Sequence, residues 1–87
     1  MAPETLLEFP TAFPIKAVGR DEQEFRQLVE EIVAAHAEFD PQQDVKVQVS
    51  GNGNFVSVTV TVNAESQQQL DTIYQLLHDN DRVLMAL

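Results

Sequence analysis

The chain has 87 residues, 44% of them hydrophobic and 22% charged, and no cysteine. That length holds one domain with one core, and the missing thiols exclude disulfides, thiolate metal sites and a cysteine nucleophile. Fourteen Asp and Glu against five Lys and Arg leave a net charge of −9, a field that repels polyanions at long range and argues against nucleic acid and anionic membrane as partners.

Leu6, Leu7 and Phe9 make the first ten residues too apolar for a solvated tail, so this segment is expected to lie against the domain. Phe13, Ile15 and Ala17 then alternate with Pro14, Lys16 and Val18, the period of a strand over 12–18. Pro14 cannot donate to a ladder, which places its end of the strand at a sheet margin or bulge. Gly19 and Arg20 read as a turn, and Asp21 with Glu24 as a variant capping box before a helix. Phe25, Leu28, Val29, Ile32, Val33 and His36 form one stripe at helical spacing, with Glu22, Glu24, Glu30 and Glu31 off it, so the helix is placed at about 21–38.

Val45, Val47 and Val49 alternate with polar residues, as do Val56, Val58, Val60 and Val62 with Phe55, Ser57, Thr59 and Thr61. Between the two runs, Gly51-Asn52-Gly53-Asn54 supplies the positive φ values that a hairpin tip needs. Asn63 or Ser66 can cap a second helix at about 65–78, with Leu70, Ile73, Tyr74 and Leu77 turned inward. A last strand over 83–87 carries Val83, Met85 and Leu87 on one side and Leu84 and Ala86 on the other, more apolar surface than an edge strand open to water should have. Self-association to a homo-oligomer, or cover from residues 6–9, is the expected remedy.

The order strand, helix, strand, strand, helix, strand predicts an α+β fold. It is that of a ferredoxin-like βαββαβ sandwich, one antiparallel sheet of order 4-1-3-2 with two helices on one face. Residues 1–87 form a single domain, and its expected core comprises Phe25, Leu28, Val29, Ile32, Val33, Val58, Val60, Leu70, Ile73 and Leu77. No run is long enough to span a bilayer, and Met1-Ala2-Pro3-Glu4 lacks the features of a secretory signal, so a cytoplasmic location is expected.

Few residues suggest chemistry. His36 and His78 both fall late in their helices, which in this fold run antiparallel, so the pair cannot share a metal; the helix dipole explains their placement. Asp79-Asn80-Asp81 starts like a calcium loop but lacks the Gly at the sixth position and the Glu at the twelfth. The helix glutamates lie on a solvated face, and Ser57, Thr59 and Thr61 stand in a row with no base beside them. An RNA-recognition domain shares the element order, but Phe55 and Lys16 are all that the outward positions offer for stacking and charge, one ring in a chain of net charge −9. No catalytic residue, metal site or cofactor is expected.

Leu6-Leu7-Glu8-Phe9-Pro10-Thr11, Phe13, Lys16, Gly19, Val33, His36-Ala37, Gly53-Asn54-Phe55, Ser57-Val58, Asn63-Ala64, Val83, Met85 and Leu87 together resemble the YbeD-like family of small bacterial proteins, over nearly the whole chain. The resemblance implies a ferredoxin-like fold similar to the ACT regulatory domains, which bind amino acids beside metabolic enzymes. It assigns no catalytic residues, and suggests an allosteric role linked to lipoate metabolism. The ACT ligand loop usually carries Asp, then Pro-Gly, then Leu; the corresponding Val18-Gly19-Arg20-Asp21-Glu22 keeps Gly19 and lacks the Pro-Gly pair, which argues against amino-acid binding.

The leading expectation is a non-catalytic regulatory or adaptor domain that binds a protein partner through its open sheet face and apolar last strand. The alternative is a small-molecule sensor of the ACT type, taking an amino acid or carboxylate at Gly19, Arg20 and Asp21, where the free amides of a helix start suit an anion. An enzyme is a distant third.

Overall fold

The structure is a computed structural model and describes residues 8–20 and 24–87. Its elements are β1 (Thr11–Arg20), α1 (Phe25–Ala34), β2 (Val45–Val49), β3 (Phe55–Ala64), α2 (Gln67–Asp79) and β4 (Val83–Ala86). The strands form one antiparallel sheet in the order β2-β3-β1-β4, the expected 4-1-3-2 read from the other edge.

β1 and β3 pair residue for residue from Thr11↔Ala64 to Arg20↔Phe55. Because side chains alternate across a strand, this register gathers Ile15, Ala17, Val56, Val58, Val60, Val62 and Ala64 on one face, all buried. Both helices cover that face, α1 with Phe25, Val29 and Val33 and α2 with Leu70, Ile73 and Leu77. Of the expected core, Leu28 and Ile32 are only partly buried, packed at its margin beside Phe9 and Phe13. Val47 and Val49 of β2 have core-side parity yet remain 42% and 50% exposed, since the helical layer does not cover that edge. The hairpin tip turns as its sequence requires, with Gly53 at φ 75° and Ser50 N–H donating to the Phe55 carbonyl at 2.9 Å.

Three expectations about boundaries are corrected. Gly19 and Arg20 are not a turn but the end of β1, where Gly19 opposes Val56 on one side and Val83 on the other. A Cβ at Gly19 would run into the Phe25 ring and lie 2.8 Å from the Arg82 carbonyl oxygen. Glycine is therefore required here by the ring packed upon it and by the Arg82 carbonyl beside it, not by its own backbone conformation. Second, α1 is shorter than 21–38. It starts after Glu24, which makes no side-chain cap bond, while Asp21 of the expected capping box lies outside the described residues. It ends before His36, because the Glu38 carbonyl is taken by Asn63 N–H at 3.1 Å in an isolated bridge to β3. α2 is capped as expected, Ser66 Oγ accepting Gln69 N–H at 3.1 Å.

The third correction concerns β4. Val18 pairs with Met85 but Gly19 pairs with Val83, so Leu84 is a bulge residue and strict alternation fails. Val83 and Ala86 thereby face the core, while Met85 faces away from the helices. The Leu87 N–H donates to the Lys16 carbonyl at 2.8 Å and its own carbonyl accepts Lys16 N–H at 3.0 Å, continuing the ladder past β4. That carbonyl also accepts the Tyr74 hydroxyl of α2 at 2.7 Å. Pro14 lies beyond the stretch that β4 pairs. Its partner across β3, Thr61, turns its N–H toward Asp44, so the missing Pro14 donor faces the side where no β4 residue waits for it. Of the first ten residues, expected to lie against the domain, Phe9 packs on the core; Leu6 and Leu7, with Phe9 the expected cover of β4, lie outside the described residues.

Gly19→Ala is expected to cost about 1–3 kcal/mol by overpacking and Phe25→Ala about 3–5 kcal/mol by leaving a cavity. The double variant should cost clearly less than the sum, since removing the ring makes room for the methyl; urea denaturation measures all three, and strict additivity would mean the ring does not sit on Gly19. Tyr74→Phe should cost roughly 1 kcal/mol by loss of one hydrogen bond. Burial raises the Tyr74 phenol above its ordinary 10.0. The folded state therefore holds that proton more tightly than the unfolded one, and stability falls as pH rises beyond 10. Denaturation midpoints at pH 8 and pH 11 should show a larger alkaline loss in the unsubstituted chain than in Tyr74→Phe.

Candidate functional site

The residues singled out for chemistry do not converge. Gly19 and Arg20 lie on opposite faces of β1, Gly19 buried beneath Phe25 and Arg20 exposed on the far side of the sheet, and Asp21 lies outside the described residues. His36 sits beside the start of α2, its carbonyl accepting the Gln69 amide Nε2–H at 2.8 Å, whereas His78 is in the last turn of that helix. Nine residues of helix separate those levels by roughly 14 Å. Asn80 builds the connection into β4, its side chain accepting Arg82 N–H at 2.9 Å and its carbonyl accepting Val83 N–H at 3.0 Å. Glu30 pairs with Arg26 at 2.6 Å and Glu31 accepts the Gln27 amide at 3.0 Å, both contacts one helical turn apart. Among the described residues no group of three His, Asp or Glu could hold a metal ion, and no polar or charged side chain is buried.

What the fold does assemble is the sheet face opposite the helices. Its rows follow from the strand registers. Lys46, Thr59, Lys16 and Leu87 lie side by side across β2, β3, β1 and the end of the chain segment after β4; Gln48, Ser57, Val18 and Met85 form the next row; Phe55 and Arg20 the next. No helix covers this face, and Met85 is 51%, Leu87 61% and Phe55 38% exposed. The Arg20 guanidinium lies 5.9 Å from the Phe55 ring centroid, a cation–π geometry that holds ring and charge together. Around them is an open depression of about 350 Å³ lined by Val18, Gln48, Val49, Phe55, Val56 and Ser57.

This surface has apolar side chains, hydroxyls along β3, and three cations, Lys46 on the edge strand β2 and Lys16 and Arg20 on the interior strand β1. It lacks a nucleophile with a base beside it, and its shape is a shallow plane rather than a cleft. Its exposed side chains are carried on paired strands, and the plane is open to water. Sequence alternation places Lys16, Lys46 and Phe55 here, but it assigns Val83 to the same side as Met85 and Leu87. Only the bulge at Leu84 separates the core residue from the two surface ones, and nothing in the four letters of β4 announces it.

Comparison with known proteins agrees with this reading of the fold. Residues 4–87 match the family described as Protein of unknown function (DUF493). The UPF0250 protein NE1487 of Nitrosomonas europaea is 42% identical, over the whole of both chains. UPF0250 protein BPP0168 of Bordetella parapertussis is 40% identical over 97% of this chain and 92% of its own. In three dimensions the chain is similar to the solution structure of protein HP0495 from H. pylori, with a TM-score of 0.70 over 100% of this chain and 94% of that one, at 16% identity. At that identity the likeness concerns the fold alone. Among the described residues no helix is long and apolar enough to cross a membrane. From end to end, then, the chain belongs to the DUF493 family, with the UPF0250 proteins as its relatives, and the resemblance to YbeD-like proteins is membership of that family.

Proposed function

We propose that the chain is a non-catalytic regulatory or adaptor domain of ferredoxin-like fold, which binds a protein partner through the open face of its sheet. The observation that carries this reading is the exposure of Met85, Leu87 and Phe55 on strands whose other face is the core. Exposed apolar residues on mobile loops would pay for ordering when bound; these are already fixed, so most of their burial energy is available to a partner. The Tyr74 and Lys16 bonds to Leu87 hold the last of them in place.

A small-molecule sensor at Gly19 has less support, because the space above Gly19 is filled by the Phe25 ring and Arg20 faces the other way. A panel of amino acids and small carboxylates at millimolar concentration should shift the melting midpoint by less than about 2 °C. Saturating binding at one hundred times the dissociation constant would shift it by roughly 10 °C or more.

The adaptor reading is tested by affinity capture with the unsubstituted chain and with Phe55→Ser/Met85→Ser. Each side chain contributes roughly 1.5–3 kcal/mol when fully buried. Losing both should weaken partner binding by about a hundredfold or more, with the circular dichroism spectrum unchanged. Equal recovery by both chains would exclude this face as the contact.

A further inference from the structure

The chain's charges are sorted by face in a way its net charge conceals. No Asp or Glu occurs in any of the four strands, although there are fourteen in the sequence. Three of the five basic residues, Lys16, Arg20 and Lys46, are on strands, and all three have the parity that faces away from the helices. Lys16 and Lys46 are the only lysines in the chain. Both lie opposite Thr59, Lys46 on its β2 side and Lys16 on its β1 side. Two strand spacings put their Cα atoms about 10 Å apart. Neither lysine forms an ion pair or side-chain hydrogen bond with a described residue; the Arg26–Glu30 pair is on α1. Asp44, which precedes β2, already accepts the Asp40 N–H on its carboxylate at 2.8 Å.

A partner that covered Met85, Leu87 and Phe55 would also take Lys16 and Lys46 out of water. Burying two ammonium groups without counter-charges is strongly unfavourable and opposes the apolar gain. The partner must bring anions to the row that holds the lysines and apolar groups to the row beside it. We propose that the open sheet face docks an acidic, apolar segment of a partner protein, with carboxylates spaced to meet Lys46 and Lys16 and apolar side chains seated on Val18, Met85, Leu87 and Phe55. This rests on the adaptor reading above and specifies the chemistry of its partner. A nucleic acid fits less well: it would find one ring to stack on, and it would meet the full repulsion of the net charge along its length. The same face of a second copy has no carboxylate on its strands, so two copies could not satisfy these lysines symmetrically through it, and a head-to-tail contact does not close into a dimer.

The lysine pair makes the test specific. A zero-length carbodiimide joins an amine directly to a carboxylate. With the chain bound to its partner in native lysate, the isopeptide links found by mass spectrometry should run from Lys16 or Lys46 Nζ to Asp or Glu residues of one segment of the partner. Lys16→Glu/Lys46→Glu should lower recovery of that partner at least tenfold, and Lys16→Gln/Lys46→Gln by a smaller factor, each with a circular dichroism spectrum and melting midpoint close to the unsubstituted chain. Lys16→Arg/Lys46→Arg should keep the partner and lose the links. Partner recovered equally by the Glu and Gln variants, or joined through this chain's own carboxylates to lysines of the partner, would overturn the proposal and leave the adaptor reading standing. Nuclease-sensitive RNA in its place would overturn it, as would links between two copies of this chain with a dimer mass in light scattering. No partner captured by any form would overturn both.

Discussion

The ten-residue register between β1 and β3 is the constraint on which the rest of the molecule depends. Once Ile15 opposes Val60 and Ala17 opposes Val58, the side of the sheet that each neighbour occupies is no longer free. With β1 held in place, a slip of one residue would turn Thr59 and Ser57 of β3 into the core and put its valines in water, so burial specifies this register strongly. β2 and β4 are then appended to strands whose parity is already decided. Both helices find the same apolar face because only one exists. The core and the open face are therefore two consequences of a single pairing.

That dependence explains what could be read from the residues alone. The valine alternation of β2 and β3, the hairpin tip, the Ser66 cap and the strand order are all local signals, or follow from one connectivity rule. The errors lie where a tertiary contact overrides a local signal. Gly19 has the look of a turn residue, and is in a strand because the Phe25 ring needs the room a side chain would take. The α1 stripe continues to His36 in sequence, yet the helix stops earlier because Asn63 draws the Glu38 carbonyl into the sheet. In β4 a single bulge reverses the parity of half a strand. Neither a ring packed from another element nor an extra residue opposite Gly19 leaves a mark on hydrophobic periodicity.

The open face was legible in part for the same reason. The positions of Lys16, Lys46 and Phe55 follow from alternation, whereas their grouping with Met85 and Leu87 needs the β1–β4 register. Net charge is a poor guide at this scale. It sums fourteen acids, none of them on a strand, with a few cations gathered on one plane, and the Debye length of about 8 Å at physiological salt is shorter than the Lys16–Lys46 separation. At contact range a partner meets the local sign, not the sum.

The acidic helical side and the basic sheet side then act at different distances. Far from the molecule the excess negative charge sets the field; close to the open face, the strand lysines set the local sign. For the acidic partner proposed above, such an arrangement would trade association rate for discrimination, since that partner would approach against the net field and gain only when correctly oriented. The bulge and the Tyr74 bond fit the same logic. By holding Met85 and Leu87 on the sheet they fix the apolar row in register with the charged one, so a partner with the right charges in the wrong geometry would leave one row or the other unsatisfied.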